Sequence, residues 1–287
     1  MVIDYGGDKN DLIVSSPVSC ALPPASVPKE TLFPNLPRDI QPIAVKSRWY
    51  KASHREFIAS EVDMKLKDDV IQDSRSPWRA QVVVVEENGS RRMVIDYSQT
   101  INIYTEKDAT PLPRLDETVN TLAKYRFFSK FDLKSAYHQI PILPSDYKYT
   151  AFEANGKLYE FKRIPYGVTN GGIVFQRAIE SVIKTENLND TFAWQDDVTV
   201  CGQSQEEHDR NVERFLNAVR ARNFTLNEKK TVSSVSCINV LGYRVGFGEI
   251  RPDPDRLTSF KRLSAANEQE IFETGLRNVC ILCQVVA

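Results

Sequence analysis

Apolar and polar positions follow different periods along the chain, and the blocks predict strands interleaved with helices. Behind Ser53 and Glu56, spaced as a capping box, Phe57, Ile58, Val62, Leu66 and Val70 recur at helical spacing. Two β-prone runs, 80–85 and 92–97, flank Asn88-Gly89, which predicts a hairpin. Leu115, Val119 and Leu122 outline a short helix after Pro111 and Pro113, and 127–133 reads as a strand. Helices are expected at 175–184 and at 204–222, the latter with Ser204 and Glu207 as a second capping box. Short strands at 191–193 and 198–201 enclose a tight turn, and 240–245 with 249–251 reads as a further hairpin. This alternation predicts an α+β or split βαβ core.

Composition narrows the class. The 287 residues are 41% hydrophobic and 26% charged, which supports a packed core and excludes wholesale disorder. No apolar run reaches the roughly 18–20 residues of a membrane helix, and residues 1–10 lack the pattern of a signal peptide. Five scattered cysteines suit free thiols in a reducing compartment, so a soluble, cytoplasmic protein is expected. Seven of fifteen prolines fall in 17–42, so 1–45 reads as an extended proline-rich arm rather than a packed unit. Net charge is −1, and a small local excess of basic residues over 46–262 permits a nucleic-acid partner.

Two adjacent carboxylates, Asp196 and Asp197, sit between apolar strand residues. Successive strand side chains point to opposite faces, so only a turn lets both serve one site. A divalent cation is the natural compensation for such crowding; a solvated Asp-Asp turn is the plainer alternative. Asp132 ends an apolar strand, where an acid is either a helix cap or a ligand, and Ser135 is an equally good cap. One carboxylate from a strand end and two from a hairpin can hold two Mg²⁺ ions about 3.5–4 Å apart for phosphoryl transfer.

The blocks FSKFDLKSAYHQI, TAFEANGKLYEFKRIPYGVTNGGIVFQR, FAWQDDVTVCG and VLGYRVGFGEIRPDPDRL closely resemble the reverse transcriptase of gypsy-type retrotransposons, with SPWRAQVVVV and RRMVIDYSQTIN upstream. The similarity runs from about Ile43 to Leu263 in the family's order. It implies a right-hand polymerase: fingers at about 46–125 and 145–165, the palm in the rest of 46–262, the thumb truncated or absent, and a divergent tail at 263–287. It implies Asp132, Asp196 and Asp197 as catalytic carboxylates binding two Mg²⁺ ions (Mn²⁺ as an alternative), with the Leu133 carbonyl as a further ligand. Arg92 matches the arginine that pairs with the incoming triphosphate; a solvated hairpin charge is the alternative. Tyr137 matches the steric gate under the sugar, with core packing as the alternative, and Tyr166-Gly167 the segment lining the nucleotide. Leu241, Gly242 and Tyr243 match the primer grip, and Lys229 or Lys230 a lysine near the leaving pyrophosphate. Implied partners are an RNA or DNA template with its primer and a dNTP, with RNase H and integrase fused in a full-length element.

Two departures modify that expectation. Trp194-Gln195 replaces the family's Tyr-x before the aspartates, and Glu86 and Glu87 stand at the fingertip where lysines are common. A catalytically dead, nucleic-acid-binding remnant is therefore the rival reading. An RNA-dependent RNA polymerase is disfavoured by Tyr137 and by the absence of a glycine before Asp196-Asp197. Cys280 and Cys283 have no second pair for a zinc site.

Overall fold

Helix α1 (Ala52–Lys67) opens the regular structure in a computed structural model that describes residues 22–87 and 89–254. Its N-cap is Lys51, without a side-chain cap bond, so Ser53 lies inside the first turn and the expected capping box does not form. Ile58 and Val62 form its buried face. The helix also stops before Val70. Asp69 takes a left-handed φ of 54°, the Val70 N–H reaches the Lys65 carbonyl and the Asp69 N–H that of Leu66, a Schellman ending. Val70 is thereby turned into the core, 2% exposed.

Three short segments then build one sheet: β1 (Ile71–Asp73), β2 (Ala80–Glu87) and β3 (Ser90–Asp96). The β2–β3 pair is the expected hairpin, in register from Gln81↔Asp96 to Glu87↔Ser90; Asn88 lies outside the described residues. Next come α2 (Leu115–Leu122), β4 (Phe127–Asp132), the single turn α3 (Pro144–Tyr147), β5 (Phe152–Ala154) and β6 (Lys157–Phe161). Strands β5 and β6 join the first sheet in the order β1-β6-β5-β2-β3, with β2 and β5 parallel. Helix α4 (Gly171–Thr185), β7 (Thr191–Trp194), β8 (Asp197–Gly202), α5 (Gln205–Ala221) and β9 (Val232–Val235) follow. They complete a second, antiparallel sheet in the order β7-β8-β4-β9. Ser204 caps α5 by accepting the Glu207 N–H, as the pattern predicts.

The last sheet differs from the expected hairpin. Residues 240–245 are not one strand: β10 (Cys237–Val240), β11 (Tyr243–Gly246) and β12 (Glu249–Pro252) form a meander. Leu241 (φ 55°) and Gly242 (φ 84°) both take positive φ, the requirement of the two-residue turn that favours a twisted hairpin. The apolar run across Val240 and Val245 concealed that turn.

The proline-rich segment is also corrected over residues 22–45. It contains no helix or strand, yet Leu22, Ala25, Leu32 and Phe33 are buried. Backbone bonds from Ala25 to Gln139, Ser26 to Arg222, Glu30 to Pro141 and Val45 to Arg79 fasten it to the rest of the fold. Prolines remove donors but leave the apolar side chains free to pack, and here they do. The buried Arg163 fastens this segment by donating to the carbonyls of Leu22, His138 and Asp68.

One apolar core runs between the first two sheets and their helices; a smaller one, including Val119, Leu122, Phe128 and Ile238, lies beneath the meander. Among the described residues no helix is long and apolar enough to cross a membrane. The sequence expectations for 263–287, Cys280 and Cys283 lie outside the described residues.

Candidate active site

Strand β4 delivers Asp132 to the edge of the molecule because its alternating pattern buries Phe131 and Ser129 and leaves Lys130 and Asp132 on the opposite, half-open face. Its neighbour β8 places Asp197 directly across from Asp132, and the turn between β7 and β8 adds Asp196. The Leu133 N–H donates to the Asp196 carbonyl at 3.1 Å, so the end of β4 clips the turn. The backbone thus brings the three sequence-predicted aspartates to one end of the second sheet.

Asp132 is not a helix cap. The following 3-10 turn, Ala136–Gln139, has Ser135 as its N-cap residue, in a left-handed conformation and without a side-chain cap bond. Instead, Lys230 Nζ donates to Asp132 Oδ2 at 3.2 Å, and Lys130 Nζ meets Asp197 Oδ2 at 2.7 Å. Burial, then the like charges of Asp132 and Asp197, push the Asp196 carboxyl above the ordinary carboxylate range, and Lys230 opposes them. Among the described residues no group of three acidic, histidine or cysteine side chains is arranged to hold a metal ion.

Two aromatic rings stand beside these carboxylates. Tyr137 and Tyr166 stack with centroids 4.7 Å apart and planes 19° from parallel, and Phe175 backs Tyr137 at 5.2 Å. The Tyr137 hydroxyl is pushed up to about 12, first by burial and then by the charge of Asp196. Tyr166 is likewise raised, by burial and then by Asp196, although the residue is 39% exposed. Gly167 has φ 92°, and a Cβ there would lie 2.9 Å from the Ile95 carbonyl oxygen, so the loop needs glycine at this point. Asn102 secures the loop from the other side, donating to the Gly167 carbonyl at 2.8 Å and accepting the Thr169 N–H at 3.1 Å.

The remaining predicted residues lie on separate elements. Arg92 is exposed on β3, opposite Val85. It is three residues from Ile95, so about 10 Å of strand separates it from the Gly167 contact. At the fingertip, Glu86 is met by His54, Lys51 and Arg91, which hold its carboxyl low, the His54 hydrogen bond contributing most. One of the two fingertip acids is therefore already matched by cations. Leu241, Gly242 and Tyr243 form the β10–β11 turn, where the Gly242 carbonyl accepts the Asp253 N–H.

Sequence reasoning missed Lys130, Asn102 and Gln176. Lys130 has one legible signal, its position two residues before Asp132 on the same strand face. Asn102 carries none, because its partners lie 65 and 67 residues away, and Gln176 shows only its i+4 partner Glu180, while the backbone it holds lies 17 and 19 residues away.

Residues 83–245, more than half of the chain, match the family model described as reverse transcriptase (RNA-dependent DNA polymerase). The chain is 31% identical over 213 residues to the retrovirus-related Pol polyprotein from transposon gypsy of Drosophila melanogaster, covering 72% of this chain and 20% of that one. The corresponding polyprotein from transposon opus, from the same organism, is 30% identical over 229 residues, covering 77% and 23%. The chain therefore spans less than a quarter of these relatives. Among solved structures, the foamy viral protease-reverse transcriptase in complex with an RNA/DNA hybrid superposes with a TM-score of 0.78 at 17% identity, over 90% of this chain and 34% of that chain. Another structure of that viral protein, in complex with double-stranded DNA, gives 0.76 at 17% identity, over 87% and 43%. At this identity the likeness establishes the fold, a polymerase palm and fingers of α+β class.

Proposed function

Because the chain belongs to the reverse transcriptase (RNA-dependent DNA polymerase) family, we propose that it is the polymerase segment of a gypsy-type Pol polyprotein. In this reading it adds deoxynucleotides to a primer 3′-OH on an RNA or DNA template. The observation that carries it is Asp132 paired across from Asp197, with Asp196 close enough to feel the charge of both and itself acting on the stacked pair Tyr137 and Tyr166.

The donor chemistry suits Mg²⁺ or Mn²⁺. Carboxylate and carbonyl oxygens are hard ligands, and the repulsion that raises Asp196 is the kind a divalent charge relieves. Asp132, Asp196, Asp197 and the Leu133 carbonyl would hold the ions, with Lys230 and Lys130 yielding the oxygens they now contact. When bound, such a pair of ions activates the attacking hydroxyl and neutralises charge on the phosphates. The residues of the chain supply the rest. Arg92 offers a bidentate guanidinium to the triphosphate, and Lys230 a positive charge for the leaving pyrophosphate. Tyr137 sets the floor under the sugar, where a 2′-OH meets its ring. Tyr166 and Gly167 line the nucleotide, and Leu241, Gly242 and Tyr243 support the primer.

A second reading, nucleic-acid binding without catalysis, draws on the lysine contacts that occupy Asp132 and Asp197. Extension of a DNA primer on an RNA template, with Mg²⁺ and then Mn²⁺, separates the two. Metal-dependent, templated products support the polymerase; a bound but unextended primer supports the alternative.

A further inference from the structure

Helix α4 reaches the Asp196 turn through one side chain. Gln176 is 3% exposed, and its Oε1 accepts the Gln195 N–H at 2.8 Å. Its Nε2 donates to the Ala193 carbonyl at 2.9 Å and to Glu180 Oε1 at 2.7 Å. Glu180 accepts only, as a carboxylate does, so it fixes which end of the amide faces which partner. The carboxamide therefore bridges the backbone on both sides of Trp194, one contact as donor and one as acceptor.

The residue held this way is an unusual one. Gln195 has φ 49°, a left-handed conformation that side chains other than glycine seldom adopt, and it immediately precedes Asp196. Only two described backbone anchors reach the turn from outside the hairpin: the Gln176 bond to Gln195 and the Leu133 N–H to the Asp196 carbonyl. Trp194 pairs with Asp197, so Gln195-Asp196 is a two-residue turn that needs positive φ at its first position, at a cost for a residue with a side chain. The Gln176 bond offsets that cost, and without it the turn that carries Asp196 is held less firmly.

We propose that Gln176 is a positioning residue for Asp196: its carboxamide locks Gln195 in the left-handed conformation and so fixes where Asp196 presents its carboxylate. The proposal rests on the polymerase reading for its kinetic consequence but not for its structural one. Neither a leucine nor a glutamate can replace the amide. The first lacks both polar contacts; the second loses the donor and meets the Ala193 carbonyl and Glu180 with like charge.

The test compares three forms of the full chain: wild type, Gln176→Met, and Gln176→Met combined with Gln195→Gly. Methionine keeps the length and removes both hydrogen bonds, while glycine adopts positive φ at no steric cost. For single-nucleotide insertion, Gln176→Met should lower kcat about ten- to a hundredfold with dNTP KM within about threefold, since misplacement of a reacting group acts on the chemical step. The double variant should recover most of that loss. Hydrogen exchange read by mass spectrometry should show faster exchange over 191–200 in Gln176→Met, with the rest of the chain unchanged. An unchanged kcat, a loss that glycine does not restore, or unaltered exchange at the hairpin would each overturn the proposal. A wild-type chain that never extends a primer would instead sink the polymerase reading, and the exchange experiment would still decide the clamp.

Discussion

Lowering the pH from 7 to 5 should weaken the fold by about 2 kcal/mol through one side chain, His138. Its ring lies against Phe161, with centroids 5.7 Å apart, and meets Tyr166 edge-on at 5.0 Å. Burial, then the charges of Lys65 and Arg163, depress its pKa from 6.5 to about 3. Between those values the unfolded chain takes up a proton that the folded chain refuses. Stability therefore rises with pH through this window: it is fully present above the unfolded value and is lost as pH falls toward the folded one. Each unit inside the window is worth about 1.4 kcal/mol, so the step from 6.5 to 5 costs about 2 kcal/mol. For a chain of this size that is a fall in Tm of about 4–8 °C. The assay is urea unfolding at both pH values for wild type and His138→Phe, which keeps an aromatic ring against Phe161 and removes the titration. Carboxylates and the other histidines are common to both proteins, so the difference between their pH responses isolates His138. Equal acid sensitivity in the two would refute the reasoning.

Three further outcomes are expected. Asp196→Asn should reduce primer extension more than a hundredfold, about 3 kcal/mol of barrier, with unchanged circular dichroism, because the amide keeps the shape and loses the charge; retained activity above a few per cent would remove Asp196 from the metal site. Tyr137→Ala should raise ribonucleotide use relative to deoxynucleotide use, measured as the ratio of kcat/KM for the two sugars; an unchanged ratio with activity retained would make Tyr137 a packing residue. Gly167→Ala should destabilise the protein by about 1–3 kcal/mol and raise dNTP KM, since the new methyl group meets the Ile95 carbonyl and the backbone holds positive φ; a Tm and KM equal to wild type would contradict the loop's role.

What the sequence made legible was local. Strand β4 and the β7–β8 hairpin could be placed because apolar runs bracket Asp132 and Asp196-Asp197, and period and turn chemistry agree there. The Ser204 cap was likewise visible, with all its parts within four residues. The failures have several causes. Strands β1 and β5, of three residues each, are too short to show a period, and they exist because β6 pairs with both. Ser53 carried a cap signature that the helix does not use, since α1 is capped two residues earlier, at Lys51. The ends of α1, α4 and α5 rest on left-handed Asp69, Asn187 and Asn223, each followed by a buried Val70, Leu188 or Phe224. That aspartate- or asparagine-then-apolar ending is a local signal the sequence carries. The site shows the same division. Its carboxylates were visible as a motif and Lys229 or Lys230 through the resemblance, whereas the contact of Lys230 with Asp132, 98 residues away, depends on a 3-10 turn that only the folded chain creates.

The central claim is that Asp132, Asp196 and Asp197 form a metal-dependent polymerase site, and one measurement tests it most directly. A 5′-labelled DNA primer annealed to an RNA template is incubated with the chain, the four dNTPs and Mg²⁺ or Mn²⁺, and binding of the same duplex is measured in parallel. The account predicts template-directed products that require the metal and disappear with Asp196→Asn. Duplex binding without any metal-dependent extension would contradict it.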